Sequence, residues 1–594
     1  MPEATRTTLE QEEGRDALFQ APAWQWRRAG QVGWWFKPEW GPVLIGPDGL
    51  RLDEWRRSDS LTTIKTGPHR VVYRADLPEG VVFIKHFLVP DFRAILRQWF
   101  RRGKGRNEGR RASALEALGI PTITPIALGE QRKRRFLFEN YLVTHAIDRA
   151  IPLDEFVERE LPSVSLPQRA TMARELAQAL GILTARLHDA GLVHLDFHPG
   201  NILVRRGTGD RIELAMIDLD ALRTARVPLN RGASRDNLAL LNHYFWLRSA
   251  KTDRRRFLKA YLEARQTPES DDRAFAREIE GATRDWAERL WRRWGRRCRG
   301  SNKYFTVGSD KQASTHAIAS RDLDPADLRA LLADPEAPFR SPKSRLIKDS
   351  RTTTVIETEM TVLGRPTRVI YKRFNPKKRL EAILNLVRPS RAWRAWQAAQ
   401  HLVSRALPTP QNLVYLSKSP GRGLFRRLRA AETTYHAVVK AEDTVTLGAY
   451  VCQVLPTLGA EEQVATRRRL LRELALLMRT LHERSLSHRD LKSENILVKV
   501  DGETGRFELS LIDLVGVRLS HPLPRDRRVQ NLARVYLSLR EMPGGTRSDI
   551  LRFLLTYRPE ARARGDEWKA LWREVFAASK AKIEQNRRRN RPIS

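Results

Sequence analysis

The stretch that decides the fold reads Leu187-His188-Asp189-Ala190-Gly191-Leu192-Val193-His194-Leu195-Asp196 and continues to Asn201-Ile202-Leu203-Val204. A second stretch reads Leu481-His482-Glu483-Arg484-Ser485-Leu486-Ser487-His488-Arg489-Asp490 and continues to Asn495-Ile496-Leu497-Val498. In both, the first histidine precedes the aspartate by 8 residues, and the asparagine follows it by 5. Repetition at fixed spacing indicates that the chain contains the same structural unit twice.

Each copy then closes an apolar run with another aspartate, in Ile217-Asp218-Leu219 and in Ile512-Asp513-Leu514. His-x-Asp-x-x-x-x-Asn followed by such an aspartate is the catalytic-loop and metal-site pattern of the protein kinase fold. Phosphoryl transfer needs a carboxylate that orients the acceptor and oxygen ligands for magnesium. The pattern predicts Asp196 and Asp490 as catalytic bases, and it predicts four metal ligands: Asn201, Asp218, Asn495 and Asp513. The alternative is that these are loop residues that cap turns.

One lysine in each copy lies within an apolar run that predicts a strand. Lys85 ends Val81-Val82-Phe83-Ile84-Lys85, and Lys372 ends Val369-Ile370-Tyr371-Lys372. A lysine there is costly unless it meets an anion, so we predict that both bind nucleotide phosphates. The alternative is an edge-strand lysine that reaches solvent.

A kinase lysine is normally held by a glutamate on the following helix. Glu108 lies 23 residues after Lys85 and is the predicted partner, with a solvated helix glutamate as the alternative. In the second copy the corresponding position is Ala395, and the stretch 391–400 has no acidic residue. Catalysis by the second copy is therefore in doubt.

Glycine-rich phosphate loops are poor in both copies. The first copy has only Gly67 in its candidate loop, and the second has no glycine between Thr352 and Met360. The lack of glycine argues more strongly against a eukaryotic-type protein kinase than against the kinase fold itself.

The chain's 594 residues favour more than one domain. A leucine face at helical spacing precedes each His-x-Asp and predicts a core helix: Leu176, Leu180, Leu183 and Leu187, then Leu470, Leu474, Leu477 and Leu481.

Prolines at 335, 338 and 342 predict a linker at about 334–346. We therefore expect domains at 1–335, with a Trp-rich extension over about 1–60, and at 346–594. The predicted fold class is α+β, with two tandem bilobal protein-kinase-like domains, each having a small antiparallel β-rich N-lobe and a helical C-lobe.

Flanking motifs carry a resemblance to a known family. They are Arg106-Asn107-Glu108-Gly109-Arg110-Arg111-Ala112 before Leu118-Gly119-Ile120-Pro121-Thr122, and Ser390-Arg391-Ala392-Trp393-Arg394-Ala395-Trp396 before Leu407-Pro408-Thr409-Pro410. With the stretches Asn237-Leu238-Ala239 and Asn531-Leu532-Ala533, they make the chain resemble the lipopolysaccharide kinase family over roughly residues 60–250 and 350–540. Members of that family phosphorylate Kdo or heptose sugars of the lipid A core. The resemblance implies ATP and Mg²⁺ as cofactors and a sugar hydroxyl of an anionic lipid-linked glycan as acceptor.

Two other functions stay open. The loop His488-Arg489-Asp490-Leu491-Lys492-Ser493-Glu494-Asn495 resembles that of a Ser/Thr protein kinase, in which the lysine equivalent to Lys492 contacts the transferring phosphate and the acceptor is a protein. The loop from Asp196 to Asn201 resembles that of small-molecule phosphotransferases instead. The missing glutamate of the second copy also favours a pseudokinase that binds nucleotide or a partner without transfer.

The net charge of +37 favours anionic partners, and nucleic acid is the least favoured because no reader motif accompanies the basic stretches. Trp286, Trp291 and Trp294 lie among arginines on a predicted helix, which indicates either peripheral contact with anionic membrane lipid or packing against the domain. We expect the tryptophans at 24, 26, 34, 35 and 40 to be structural and the basic tail from Lys580 to Arg591 to be solvated.

We expect neither a signal peptide nor a membrane-spanning segment. Met1 to Asp16 contain no apolar signal segment, and no run of 18 apolar residues predicts a membrane span. Cys298 and Cys452 are too few and too far apart for a disulfide-stabilised secreted fold or a zinc site. We expect a cytoplasmic protein, either free or peripheral at the inner face of the membrane.

Overall fold

The structure is a computed structural model. It describes residues 23–67, 70–88, 103–133, 136–207, 211–225, 227–266, 272–375, 389–419, 433–502, 505–540, 545–559 and 567–588. The segment Met1 to Asp16 and the last arginines of the basic tail lie outside the described residues.

The chain divides into two compact units, residues 1–288 and 289–594. The linker that we predicted at 334–346 is therefore misplaced. The strands Phe305–Asp310 and Thr315–Ser320, which precede this segment, belong to the sheet of the second unit. Within the segment, the Pro335 carbonyl accepts a hydrogen bond from the Tyr371 hydroxyl (3.1 Å). Pro338 lies in the first turn of a short helix, Ala337–Arg340. The prolines thus end and begin helical segments rather than mark an interdomain seam.

The first unit contains fourteen strands in its described residues: β1 Gln25–Ala29, β2 Val32–Phe36, β3 Ile45–Gly46, β4 Gly49–Leu50, β5 Leu61–Gly67, β6 Arg70–Leu77, β7 Gly80–Leu88, β8 Thr124–Lys133, β9 Phe136–His145, β10 Ile151–Pro152, β11 Leu192–His194, β12 Ile202–Arg206, β13 Ile212–Met216 and β14 Leu222–Thr224. Its helices are α1 Gly41–Leu44, α2 Leu52–Arg57, α3 Lys104–Ala117, α4 Leu153–Glu155, α5 Leu161–Ser163, α6 Leu166–Asp189, α7 Arg231–Arg248, α8 Lys251–Ala264 and α9 Asp272–Arg297, the last of which crosses the division.

The described part of the second unit contains twelve strands: β15 Phe305–Asp310, β16 Thr315–Ser320, β17 Arg345–Ser350, β18 Thr353–Val362, β19 Arg365–Phe374, β20 Asn412–Lys418, β21 Thr433–Val439, β22 Val445–Thr446, β23 Leu486–His488, β24 Ile496–Val500, β25 Phe507–Leu511 and β26 Val517–Leu519. Its helices are α10 Pro325–Ala333, α11 Ala337–Arg340, α12 Arg391–Ser404, α13 Leu447–Ala449, α14 Ala460–Glu483, α15 Arg525–Leu539, α16 Arg547–Tyr557 and α17 Glu567–Arg588.

The two units have the same sheet topology. The large sheet of the first has the order β1-β2-β8-β9-β7-β6-β5, and that of the second has the order β15-β16-β20-β21-β19-β18-β17. All of these pairings are antiparallel. Helix α3 packs against β8 and β9, and α12 packs against β20 and β21. Each unit is therefore an antiparallel β-rich lobe followed by a helical lobe, which confirms the predicted α+β class.

The predicted core helices are confirmed. Leu176, Leu180, Leu183 and Leu187 are buried on α6, and the four corresponding leucines are buried on α14. The leucines of each helix belong to the hydrophobic core of their own unit. These cores support the two predicted catalytic-loop segments that follow the helices.

The Trp-rich segment is part of the first sheet rather than an appendage. Trp34 on β2 and Trp40 are buried in one cluster with strand residues of that sheet, and Trp26 is exposed. Strands β15 and β16 hold the same places in the second sheet. The internal repeat therefore extends further toward the N-terminus than its motifs indicate.

The tryptophans at the end of α9 pack within their own unit. The Trp291 indole is buried and donates a hydrogen bond from Nε1 to the Ser404 carbonyl (2.9 Å). The Trp294 indole donates to Gln400 Oε1 (3.2 Å). The packing alternative is therefore correct for these two residues.

Candidate functional site

In the first unit, the predicted catalytic loop lies between β11 and β12. Asp196 has an exposed carboxylate, and its backbone N–H donates to His194 Nδ1 (3.3 Å). Asn201 donates a hydrogen bond from Nδ2 to the Asp196 carbonyl (2.8 Å), and the Asn201 carbonyl accepts from the Ile217 N–H (3.0 Å). Because the Asn201 amide nitrogen is used in this way, its Oδ1 is left to act as a ligand.

A buried hydrogen-bond network supports this loop. His188 is fully buried, with Nδ1 2.9 Å from the Tyr261 hydroxyl and Nε2 3.2 Å from Asn237 Oδ1. Asn237 in turn donates from Nδ2 to the His194 carbonyl (2.8 Å). Burial lowers the pKa of His188 to about 3, so its ring is neutral at physiological pH. The network therefore fixes the end of β11, where the loop begins.

The second unit repeats this network. His482 places Nδ1 2.7 Å from the Tyr557 hydroxyl and Nε2 3.2 Å from Asn531 Oδ1. Asn531 donates from Nδ2 to the His488 carbonyl (3.2 Å). The sequence showed both asparagine stretches but gave no reason for them. The structure supplies one, since each asparagine joins the core helix to the strand before the loop.

Lys85 and Glu108 form the predicted pair in the first unit. Lys85 Nζ on β7 contacts Glu108 Oε1 on α3, and the Glu108 side chain is fully buried. Asp218 adopts a left-handed conformation (φ 55°) and lies near both Lys85 and Arg70. Burial alone raises the pKa of the Asp218 carboxyl, but the charges of Lys85 and Arg70 outweigh it and hold that pKa below its ordinary value. Lysine, glutamate and aspartate are thus brought together.

Arg111 of α3 braces the segment after Asp218. Its Nη1 donates to the Leu219 carbonyl (3.1 Å) and to the Asp220 carbonyl (3.0 Å). These hydrogen bonds connect the helix that carries Glu108 to the segment that follows Asp218. The position of Glu108 is therefore coupled to that of Asp218.

In the second unit, all five predicted site residues line one cavity of about 760 Å³: Lys372, Asp490, Lys492, Asn495 and Asp513. Asn495 donates from Nδ2 to the Asp490 carbonyl (2.7 Å), and Asp490 N–H donates to His488 Nδ1 (3.2 Å). The loop geometry of the first unit is therefore reproduced.

The glutamate is missing from the second unit in space as well as in sequence. Ala395 of α12 lines the cavity. Within the described residues, no carboxylate lies within 4.0 Å of Lys372 Nζ. Burial lowers the pKa of the Lys372 ammonium below its ordinary value, and the opposing charge of Asp513 does not offset it.

The two loops also differ two residues after the aspartate. In the first unit, His198 Nε2 lies 3.6 Å from Asp196 Oδ2, while His198 Nδ1 accepts a hydrogen bond from the Gly200 N–H (3.1 Å). The second unit has Lys492 there, and Arg534 Nη1 lies 4.0 Å from Asp490 Oδ1.

Sequence reasoning gave no role to Arg70, His198 or Arg534. Arg70 Nη1 lies 3.2 Å from Asp218 Oδ1, although 148 residues separate the two. His198 had a detectable signal, because it occupies the position of Lys492 when the repeated loops are aligned. Arg70 and Arg534 had none, since their contacts arise only in the folded units.

The bilobal units and these clustered residues define a protein-kinase-like phosphotransferase. The model of the lipopolysaccharide kinase (Kdo/WaaP) family matches residues 92–261 and 384–557, which together are more than half of the chain. The chain therefore belongs to the lipopolysaccharide kinase (Kdo/WaaP) family and carries two tandem copies, which confirms the resemblance. By family, it is a kinase.

Two solved structures are similar to parts of the chain. One is WaaP in complex with acyl carrier protein, at 19% identity over 43% of this chain and 97% of that one, with a TM-score of 0.31. Another is the kinase domain of Mycobacterium tuberculosis PknI, a double mutant, at 14% identity over 38% and 96%, with a TM-score of 0.23. No curated protein matches the chain. Among the described helices, none has the length and apolar character needed to cross a membrane.

Proposed function

We propose that the chain transfers the terminal phosphoryl group of ATP to a sugar hydroxyl of a lipid-linked glycan, and that the first unit does the chemistry. The observation that carries this proposal is the buried Lys85–Glu108 pair beside Asp218. A lysine held in this way directs its ammonium at nucleotide phosphates, as phosphotransferases of this fold require.

The side chains in the site fit Mg²⁺ with nucleotide. Among the described residues, no group of three or more His, Cys, Asp or Glu side chains forms a metal site. The Asn201 Oδ1 and the Asp218 carboxylate are oxygen donors, and Mg²⁺ commonly binds through one or two such groups together with substrate phosphates. When bound, the ion neutralises charge on the phosphate oxygens. Asp218 and Asn201 would hold it in the first unit, and Asp513 and Asn495 in the second.

Asp196 is the proposed catalytic base. Its carboxylate is exposed, so an acceptor hydroxyl reaches it from solvent. Its main chain is held by hydrogen bonds from both sides, through His194 and Asn201. A fixed carboxylate of this kind orients the hydroxyl and takes its proton during transfer.

Family membership and charge support the acceptor. The family's name supports a lipopolysaccharide sugar, and the net charge of +37 favours an anionic glycolipid. We therefore place the protein in the cytoplasm, peripheral at the inner face of the membrane, where exposed arginines of α9 such as Arg292, Arg293 and Arg296 offer cations to lipid.

The test is transfer from γ-labelled ATP to lipid A carrying its core sugars, followed by separation of lipid from protein. Label in the lipid fraction, abolished by Asp218→Ala, supports the proposal. Label only in protein would instead establish the Ser/Thr protein kinase alternative, which the Lys492 loop favours. Nucleotide binding to the Asp218→Ala variant, read as a thermal shift with ATP with and without magnesium, provides a readout besides activity.

A second candidate function applies to the second unit alone. Because Ala395 replaces the glutamate, that unit is proposed to bind nucleotide in the cavity around Lys372 without transferring phosphate. In a Lys85→Ala chain, stabilisation by ATP that is lost on adding Lys372→Ala, together with no turnover when Asp196 is removed, supports this role.

A further inference from the structure

His436 lies directly opposite Lys372 on the neighbouring strand. Strands β19 and β21 pair antiparallel with Lys372 aligned to His436, so both side chains project from the same face of the sheet. His436 and Lys372 also line the same cavity, together with Ala395. The histidine therefore faces the lysine whose acidic partner is absent.

Hydrogen bonding fixes the tautomer of the His436 ring. Its Nε2 contacts Asn412 Oδ1, and Asn412 Nδ2 donates to the Trp396 carbonyl (3.2 Å). Since a carbonyl oxygen cannot donate, the Asn412 amide must present Oδ1 to the ring, and Nε2 must carry the hydrogen. Burial, followed by the charge of Lys372, lowers the pKa of His436 to about 3, so the ring is neutral. Its Nδ1 consequently has a lone pair that accepts hydrogen bonds.

The first unit has neither the histidine nor the asparagine at the corresponding positions. There the residue opposite Lys85 is Leu142, which cannot accept a hydrogen bond. The place of Asn412, aligned two residues beyond the histidine on the neighbouring strand, is held by Pro125. The unit that has Glu108 thus lacks the histidine and its asparagine, and the unit that has both lacks the glutamate.

We propose that His436 is a positioning residue that replaces the glutamate in the second unit: its Nδ1 accepts a hydrogen bond from Lys372 Nζ and directs the ammonium at a nucleotide phosphate. The inference rests on the proposed nucleotide binding by that unit. A neutral acceptor orients the ammonium without cancelling its charge, so that the phosphate becomes its counter-ion. Asp513 lies near enough to interact with the same ammonium.

The experiment uses the full chain with Lys85→Ala, so that binding at the second unit is isolated, and a fluorescent ATP analogue as the probe. His436→Leu copies the first unit's residue and is expected to weaken binding by about tenfold or more, the range for loss of a hydrogen bond to a charged group. Adding Ala395→Glu to His436→Leu supplies the first unit's partner and is expected to restore affinity to within about threefold. His316→Leu, at an exposed position on β16 of the same sheet, is the matched control and should bind as the parent does.

The outcomes separate the inference from the function on which it rests. If His436→Leu binds the analogue as tightly as the parent, the positioning role is wrong while nucleotide binding stands. The role is also wrong if the His436→Leu, Ala395→Glu double variant still binds the analogue weakly. Weak binding that a restored carboxylate does not correct would indicate a general packing defect. If the parent shows no binding that Lys372→Ala removes, both the inference and the nucleotide site fail.

Discussion

Glu108 meets Lys85 through Oε1, while its Oε2 is buried and has no hydrogen-bond partner among the described residues. A buried carboxylate is tolerated when a cation faces it, so this glutamate depends on Lys85 as much as the lysine depends on it. The interaction therefore links the β-rich lobe's strand β7 to helix α3 at the centre of the candidate site.

Replacing Glu108 by glutamine tests the pair directly. Glu108→Gln keeps the shape but removes the charge, so Lys85 is less well held, and we expect kcat/KM for ATP to fall by about 10- to 100-fold. Steady-state kinetics with varied ATP measure this. Glu116→Gln, on an exposed position of the same helix, is the control and should leave the rate unchanged. A Glu108→Gln enzyme with the parental kcat/KM would show that the pair is only structural.

The two aspartates proposed as catalytic bases should differ in importance. Asp196→Ala removes the base from the unit that has a complete lysine pair, and a fall in transfer of about 100-fold or more is expected. Asp490→Ala removes the base from the unit that lacks its glutamate, and the loss should be far smaller. Initial rates with labelled ATP compare the two. Equal losses would mean that the second unit is as active as the first.

The shared geometry of the two candidate catalytic loops could be predicted from sequence because their residues are close together along the chain. His188, Asp196 and Asn201 have roles that require fixed spacing, and the repeat shows that spacing twice. Lys85 was detectable because a charge on an apolar strand needs a partner. Family and fold followed from these short-range signals.

The second unit's boundary and several site residues could not be predicted. Strands β15 and β16 contribute packing rather than chemistry, so they carry no motif that the repeat shares with β1 and β2. Arg70 reaches Asp218 only in the folded unit, and strand register brings His436 opposite Lys372; sequence spacing reveals neither.

Buried histidines should make the second unit less stable in mild acid. The pKa of His482 is about 4 when folded, against an ordinary value of 6.5, because burial disfavours its charged form. Between these values the unfolded chain binds more protons, so the contribution of His482 is complete above pH 6.5 and is lost as pH falls toward 4. We expect about 1.5 kcal/mol of lost unfolding free energy for His482 between pH 6.5 and 5.

Urea unfolding at pH 6.5 and 5 measures this dependence. His482→Gln keeps a polar group for Tyr557 and Asn531 but cannot titrate, so its midpoint should change less with pH than that of the parent. His316→Gln, which is exposed, should keep the parental pH dependence. Equal slopes for the parent and His482→Gln would contradict the role of this histidine in acid sensitivity.

The asparagine under each loop offers a test that separates the two units. Asn237→Ala leaves a buried His188 nitrogen and the His194 carbonyl without their partner, which costs about 2–6 kcal/mol, since each unsatisfied group costs about 1–3 kcal/mol. It also loosens the strand that positions Asp196, so transfer below the unfolding temperature should fall by about tenfold. Asn531→Ala is the matched change in the second unit and should lower stability by a similar amount while leaving most of the transfer intact. Thermal unfolding and initial rates on both variants measure this, and an Asn531→Ala chain that loses transfer as severely as Asn237→Ala would place the chemistry in both units.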